Sequence, residues 1–220
     1  MQTVIDTIRK QRGEQQADML IIHGSEVSEL ESKGKNIAQK GPDGKPKGPG
    51  RGIFQYEISK GGSGASTSAL NRYKRFYSDE GYGGTMPAEY AQEIKNLSNP
   101  QDPDFTELSP ELQTEIFYAD KEQKAGFPLD ALGTEAFTLE DAWLDEHWGG
   151  KAEERDSKKD YYNRTMGFTE PMQQELNANN DEAILLQAKK NASQVVARNF
   201  NIFNVMKDLG QVFEQFEEEK

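Results

Sequence analysis

"ELESKGKNIAQKGPDGKPKGPGRGIFQYE", residues 29–57, sets carboxylates and a serine ahead of a glycine- and proline-rich passage and closes on an apolar run with a glutamine between two aromatic residues. Gly34, Gly41, Gly44, Gly48, Gly50 and Gly52 alternate there with Pro42, Pro46 and Pro49. Such spacing denies both helix and central strand and predicts a loop, and a loop of this length in a compact domain is usually functional or disordered. Order is expected to resume at "GIFQYEI" and to break again at "SKGGSGASTS", residues 59–68.

N-terminal to this stretch, residues 1–32 read as helical. Val4, Ile5 and Ile8, then Leu20, Val27 and Leu30, recur at roughly helical spacing. Gly13 and Gly24 interrupt, so the helix is expected in two pieces, the second ending near Gly34.

C-terminal to it, from "SALNRYKRFY" onward, short helices are expected. "SPELQTEIFYADKEQ" offers Ser109 as N-cap, Pro110 at the first helical position and Leu112, Ile116 and Ala119 on one face. "TLEDAWLDEHW" offers Thr138 as a cap with Asp141 three residues on, a variant of the capping box. "GKAEERDSKKDYYNR", residues 150–164, is polar enough for an exposed helix or a linker. Strand signals are sparse, so the fold class is mainly α. Beyond about residue 180, Ile202, Met206, Leu209, Val212 or Phe213, and Phe216 follow each other at steps of three and four, the stripe of an amphipathic helix. That tail could pack on its own domain or dock on another subunit.

Composition narrows the function. At 220 residues, the chain could hold one large domain, or one of about 150 residues with an appendage. Hydrophobic residues make up only 34%, so part of the chain is expected to be extended, disordered or held by a partner. The net charge of −12, with no basic stretch, argues against nucleic acid and against an anionic membrane surface. The absence of cysteine excludes a disulfide framework, a thiolate zinc site and a cysteine nucleophile. "MQTVIDTIRKQRGEQQ" lacks the apolar core of a signal peptide and no eighteen apolar residues run together, so synthesis in the cytosol without a membrane anchor is expected.

Most catalytic constellations are missing. His23 and His147 belong to no HExxH-like pattern, so neither a metal nor another cofactor is expected. "GGSGAS" follows no apolar strand and reads as a glycine-serine turn rather than a nucleophile elbow. "GPDGKPKGPG" lacks the GxxxxGK[ST] order of a phosphate loop. Carboxylates are left. Glycosidic cleavage needs a carboxylic acid still protonated near neutral pH, and a glutamate at the C-terminal end of a helix, shielded from water, has its pKa raised by desolvation and by the helix dipole. Glu31 has that place. Glu29 and Glu57 compete for the role, but Glu29 lies about 200° around a helix from Glu31, so at most one of the two faces a cleft. By composition alone all three read as solvated surface charges.

At Glu31-Ser32, with the polar stretch ending in Gln39 and "GPGRGIFQYE" at 48–57, the chain resembles the lysozyme-like lytic transglycosylases of bacteriophages. In that family a Glu-Ser pair at a helix end precedes a "GA-x-G-hydrophobic-hydrophobic-Gln" loop, and in short-tailed phages the loop often reads close to "GPARGLWQFE" before a glycine pair. The resemblance continues weakly to "DAWLDEHWGGK" at 141–151 and covers roughly residues 15–165. Here the loop carries an added "GPDGKPKG", and "DYYNRTMG" supplies Tyr161 or Tyr162 where the family has a "YNAG"-like motif, without its alanine and glycine.

The resemblance implies a lysozyme-like domain over residues 1–170, and the apolar stripe beyond it suggests a helical tail over 171–220 able to dock. The resemblance also implies cleavage of the bond between N-acetylmuramic acid and N-acetylglucosamine in peptidoglycan. Glu31 would act as acid and then base, and Ser32 would orient it or the sugar. Gln39 would lie along the substrate, Gln55 would bond substrate or loop backbone, Tyr56 would form groove wall, and Tyr161 or Tyr162 would support Glu31. The implied partners are glycan strands and other virion proteins, reached through the tail, with several copies able to associate in the particle. The implied place is the virion, acting on the host periplasm or wall during genome entry. A non-catalytic core or tail protein of the same fold, and a hydrolytic lysozyme using water, remain the alternatives. Trp143 and Trp148 read as core anchors more than as sugar platforms, pointing about 140° apart on a helix.

Overall fold

The computed structural model describes residues 3–40, 44–59, 64–148 and 152–166. The amphipathic stripe from Ile202 to Phe216, and the expected boundary at residue 170, lie outside the described residues. The described fold is mainly α, with seven α-helices and one small sheet. Its described residues cluster into two compact units, the first within Met1–Ala17 and Glu31–Phe127, the second Asp18–Leu30 with the described residues from Pro128 to Met166. None of the described helices is long and apolar enough to cross a membrane.

In the first unit, helix α1 (Val4–Arg12) starts on a reciprocal cap, Asp6 N–H donating to Thr3 Oγ1 at 3.1 Å and Thr3 N–H to Asp6 Oδ2 at 3.2 Å. Gly13, at φ 104°, ends it, as its sequence position predicts. Helix α5 (Pro110–Gln123) begins where Ser109 and Pro110 predict, with Ser109 Oγ accepting from Leu112 N–H at 3.2 Å. It is not one-faced, because every residue from Leu112 to Lys121 is buried. Helix α3 (Ala65–Phe76) packs on it and buries Leu70, Tyr73 and Phe76. The first turn of α1 leaves its N–H groups without helical partners, and Glu115 of α5 accepts one of them, Val4 N–H, at 2.8 Å. Helix α4 (Ala88–Lys95) is short and buries only Ile94.

The passage read as a loop is instead a sheet. Strands β1 (Ile37–Lys40), β2 (Pro46–Gly52) and β3 (Tyr56–Glu57) pair antiparallel in that order, so β2 is the central strand. The register runs Ile37 to Gly52 and Ala38 to Arg51, then jumps to Lys40 opposite Pro46. This irregularity absorbs the residues between, including Pro49, which has no N–H for the ladder but whose carbonyl accepts from Ile58 N–H at 3.0 Å. Arg51 braces the bulge, donating through Nη1 to the carbonyls of Gly48 (2.7 Å) and Gly50 (2.8 Å) and through Nε to Asp104 (3.0 Å).

Helix α2 (Glu14–Ser32) runs unbroken through Gly24, contrary to the expected interruption. A mid-helix glycine costs about 1 kcal/mol relative to alanine, less than is gained by burying neighbours such as Leu20, Ile21 and Val27. The second unit builds on residues 18–30 of this helix with α6 (Leu139–Trp148) and α7 (Ala152–Met166). The Thr138–Asp141 box caps α6 as its sequence predicts, Asp141 N–H donating to Thr138 Oγ1 at 3.1 Å. Trp143 is a core anchor, 1% exposed, its ring 6.2 Å from that of Tyr161 and 5.8 Å from that of Tyr162.

Candidate active site

Glu31 sits in the last turn of α2, half-buried. The helix stops there because Lys33 (φ 57°) and Gly34 (φ 68°) both turn left-handed, a C-terminal stop in which only the glycine is free of steric cost. Ser32, 5% exposed, turns inward and its hydroxyl donates to the Ile53 carbonyl at 2.7 Å. The helix end is thereby tied to the "GIFQ" segment, which itself is anchored in the core. Ile53 is fully buried, and the Phe54 ring stacks on Phe117 of α5 at 4.3 Å.

Gln55 occupies the left-handed region at φ 51°. Its Nε2 donates to the carbonyls of Gly52 (2.6 Å) and Ile37 (2.9 Å), stitching the β2–β3 turn to β1. Of the two roles the family suggests for Gln55, this geometry uses the loop backbone. Gln39 is exposed on β1 and its Oε1 accepts from Gly50 N–H at 3.3 Å, across the bulge.

Tyr56, expected in the groove wall, has its side chain turned into the unit. Its ring meets Phe105 edge-on at 5.2 Å and its hydroxyl donates to Asp120 at 3.0 Å. Asp120, 2% exposed, also receives Arg72 Nη1 at 2.5 Å and Lys121 Nζ at 3.2 Å. Lys121 Nζ stands 4.6 Å from the centre of the Phe117 ring, a cation held over an aromatic face. Tyr56 thus fastens β3 to α5 and α3 through a buried charge cluster.

Glu31, Ser32, Gln39, Gln55 and Tyr56 all belong to the first unit. Tyr161 and Tyr162 belong to the second. There the Tyr161 hydroxyl donates to the Leu30 carbonyl at 3.1 Å and Tyr162, 2% exposed, donates to Glu26 at 2.8 Å. Burial, reinforced by the Glu26 carboxylate, pushes the Tyr162 phenol well above its ordinary range, so it stays a neutral donor. Of the rival carboxylates, Glu29 is buried at 6% exposure in the second unit and Glu57 is exposed on β3.

Sequence reasoning passed over Gln113. It is fully buried on α5, its Oε1 accepting from Ile53 N–H at 2.8 Å and its Nε2 donating to the Leu108 carbonyl at 2.9 Å. Nothing in a polar residue of an amphipathic-looking helix marks it as buried. The one available hint is Gly52, at φ 79°, where a Cβ would overlap the Gln113 amide oxygen and stand 3.1 Å from Phe105 Cβ.

Chemically, the arrangement offers one carboxyl group at a helix end beside a braced hairpin, with hydrogen-bonding side chains along it. Among the described residues no cluster of three or more histidine or acidic side chains is placed to hold a metal ion. Compared with known proteins, the chain matches no family model, no curated protein and no solved structure.

Proposed function

We propose that this chain cleaves the glycan strands of bacterial peptidoglycan as a lytic transglycosylase carried in a phage virion, with Glu31 as its single catalytic carboxyl group. The observation that carries the reading is the tie between Ser32 and Ile53, which holds the turn bearing Glu31 against the three-stranded hairpin whose sequence resembles the family's loop.

In this reaction the protonated Glu31 carboxyl gives its proton to the bridging oxygen between N-acetylmuramic acid and N-acetylglucosamine. The C1–O bond breaks, its electron pair leaves with the protonated oxygen, and positive charge develops at C1. Glu31, now a carboxylate, takes the proton from the C6 hydroxyl of the same muramoyl residue as that oxygen bonds to C1. The product is an anhydro end, and Glu31 is again protonated. One residue serves as acid and then base, so no second carboxylate is required.

The test is digestion of isolated peptidoglycan by the wild-type protein and by Glu31→Gln, with mass spectrometry of what is released. Anhydro ends, lighter by one water than ordinary reducing ends, identify transglycosylation. Ordinary reducing ends identify a hydrolytic lysozyme. Intact peptidoglycan after treatment with wild type favours a structural virion component.

A further inference from the structure

The hydrogen bonds around the end of α2 close into a ring. Ser32 Oγ donates to the Ile53 carbonyl (2.7 Å), and Ile53 N–H donates to Gln113 Oε1 (2.8 Å). Gln113 Nε2 donates to the Leu108 carbonyl (2.9 Å), which also accepts from Asn36 Nδ2 (3.2 Å). Asn36 is joined back to Ser32 through the three residues between them, and within that span Lys35 N–H donates to the Ser32 carbonyl at 3.2 Å. Every link lies in the first unit, and Glu31 is the residue preceding the ring in the chain.

Gln113 is the member of the ring that is both donor and acceptor through its side chain. It sits fully buried on a helix buried nearly all round, so it has no solvent to turn to. It uses one acceptor and one donor at the same time, and at that length an amide supplies both whatever the pH, a carboxyl group only while it is protonated. The donor end is committed to Leu108, which fixes the acceptor end on Ile53. Gly52 leaves the space this contact occupies, since any Cβ there would overlap the amide oxygen.

We infer that Gln113 is a positioning residue for Glu31: by gripping the Ile53 N–H while Ser32 grips the Ile53 carbonyl, it fixes where the last turn of α2 stands against the hairpin. The inference rests on the proposed glycan cleavage. It adds a residue that touches neither substrate nor Glu31 and acts through Ile53.

Three variants, Gln113→Leu, Gln113→Glu and Glu31→Gln, are compared with wild type on isolated peptidoglycan, with thermal unfolding of each as a folding control. Misplacing the acid lowers kcat and leaves sugar binding largely in place, so folded Gln113→Leu is expected to lose roughly tenfold to a hundredfold in kcat while KM stays within about threefold. In Gln113→Glu the ionised carboxylate still accepts from Ile53 but repels the Leu108 carbonyl, whereas the protonated carboxyl restores one acceptor and one donor. Its kcat relative to wild type at the same pH is therefore expected to rise as pH falls, a response that simple loss of packing does not produce. This second readout stands if Gln113→Leu does not fold. If wild type releases nothing, the proposed function falls. If wild type acts, Glu31→Gln does not, and the kcat ratio of Gln113→Glu does not change with pH, the function stands and the positioning role of Gln113 is overturned.

Discussion

The hydroxyl of Ser32 and the carbonyl oxygen of Ile53 lie 2.7 Å apart, joining the final turn of a long helix to the apolar end of a hairpin 21 positions away in the chain. Because both groups are buried, removing the donor leaves a carbonyl with neither protein nor water. Ser32→Ala is expected to lower stability by about 1–3 kcal/mol. Urea unfolding checks this, with a lower midpoint and an unchanged slope as the expected result.

Gly52 and Gly83 have similar left-handed backbones, φ 79° and 71°, but different surroundings. At Gly83 an added Cβ meets nothing within 4 Å, so Gly83→Ala should lose only the backbone term, about 1–2 kcal/mol. Gly52→Ala should lose that and, in addition, about 1–3 kcal/mol of overpacking against Gln113 and Phe105. Paired denaturation curves test the difference, and equal losses would contradict the packing seen at Gly52.

Tyr73 and Tyr162 are buried, at 0% and 2% exposure, and burial pushes both phenols well above their ordinary range. In the unfolded chain a tyrosine loses its proton near pH 10, while in the folded protein these two keep theirs. Above that pH the folded state therefore holds more protons than the unfolded state, and stability falls as pH rises, by about 1.4 kcal/mol per pH unit for each such tyrosine. Their contribution is fully present below about pH 10. Urea unfolding on either side of that value, with phenolate absorbance as the probe, should show tyrosines ionising together with unfolding above it and not well below it.

Much of the helical frame was legible because its signals are local. Ser109 with Pro110, and Thr138 with Asp141, mark helix starts through bonds that span three residues, and Gly13 marks an end through its own backbone. The hairpin was not legible. Glycine and proline density in residues 33–52 describes a chain unlikely to pair regularly, whereas β2 pairs irregularly, with a register jump that houses Pro49 and an arginine that braces it. Gly24 misled for a related reason, since its local penalty is overridden by burial of residues on either side.

The candidate site divides along the same line. Glu31 drew attention by its position at a helix end, Ser32 and Gln55 only through the family resemblance. The inward roles of Tyr56, Asp120 and Gln113 depend on partners 48 to 64 positions distant. No spacing rule encodes such pairings, and a buried glutamine or aspartate looks in sequence like any solvated one.

In the proposed reaction Glu31 passes a proton to a bridging sugar oxygen and takes one back from the sugar itself. Mass spectrometry of the fragments that the wild-type protein and Glu31→Gln release from isolated peptidoglycan follows that proton exchange to its product. Wild type is expected to release muropeptides with anhydro ends, and Glu31→Gln to release them at least about a hundredfold more slowly, the lower bound for losing a general acid. Equal release by the two proteins, or none by either, would contradict the proposed reaction.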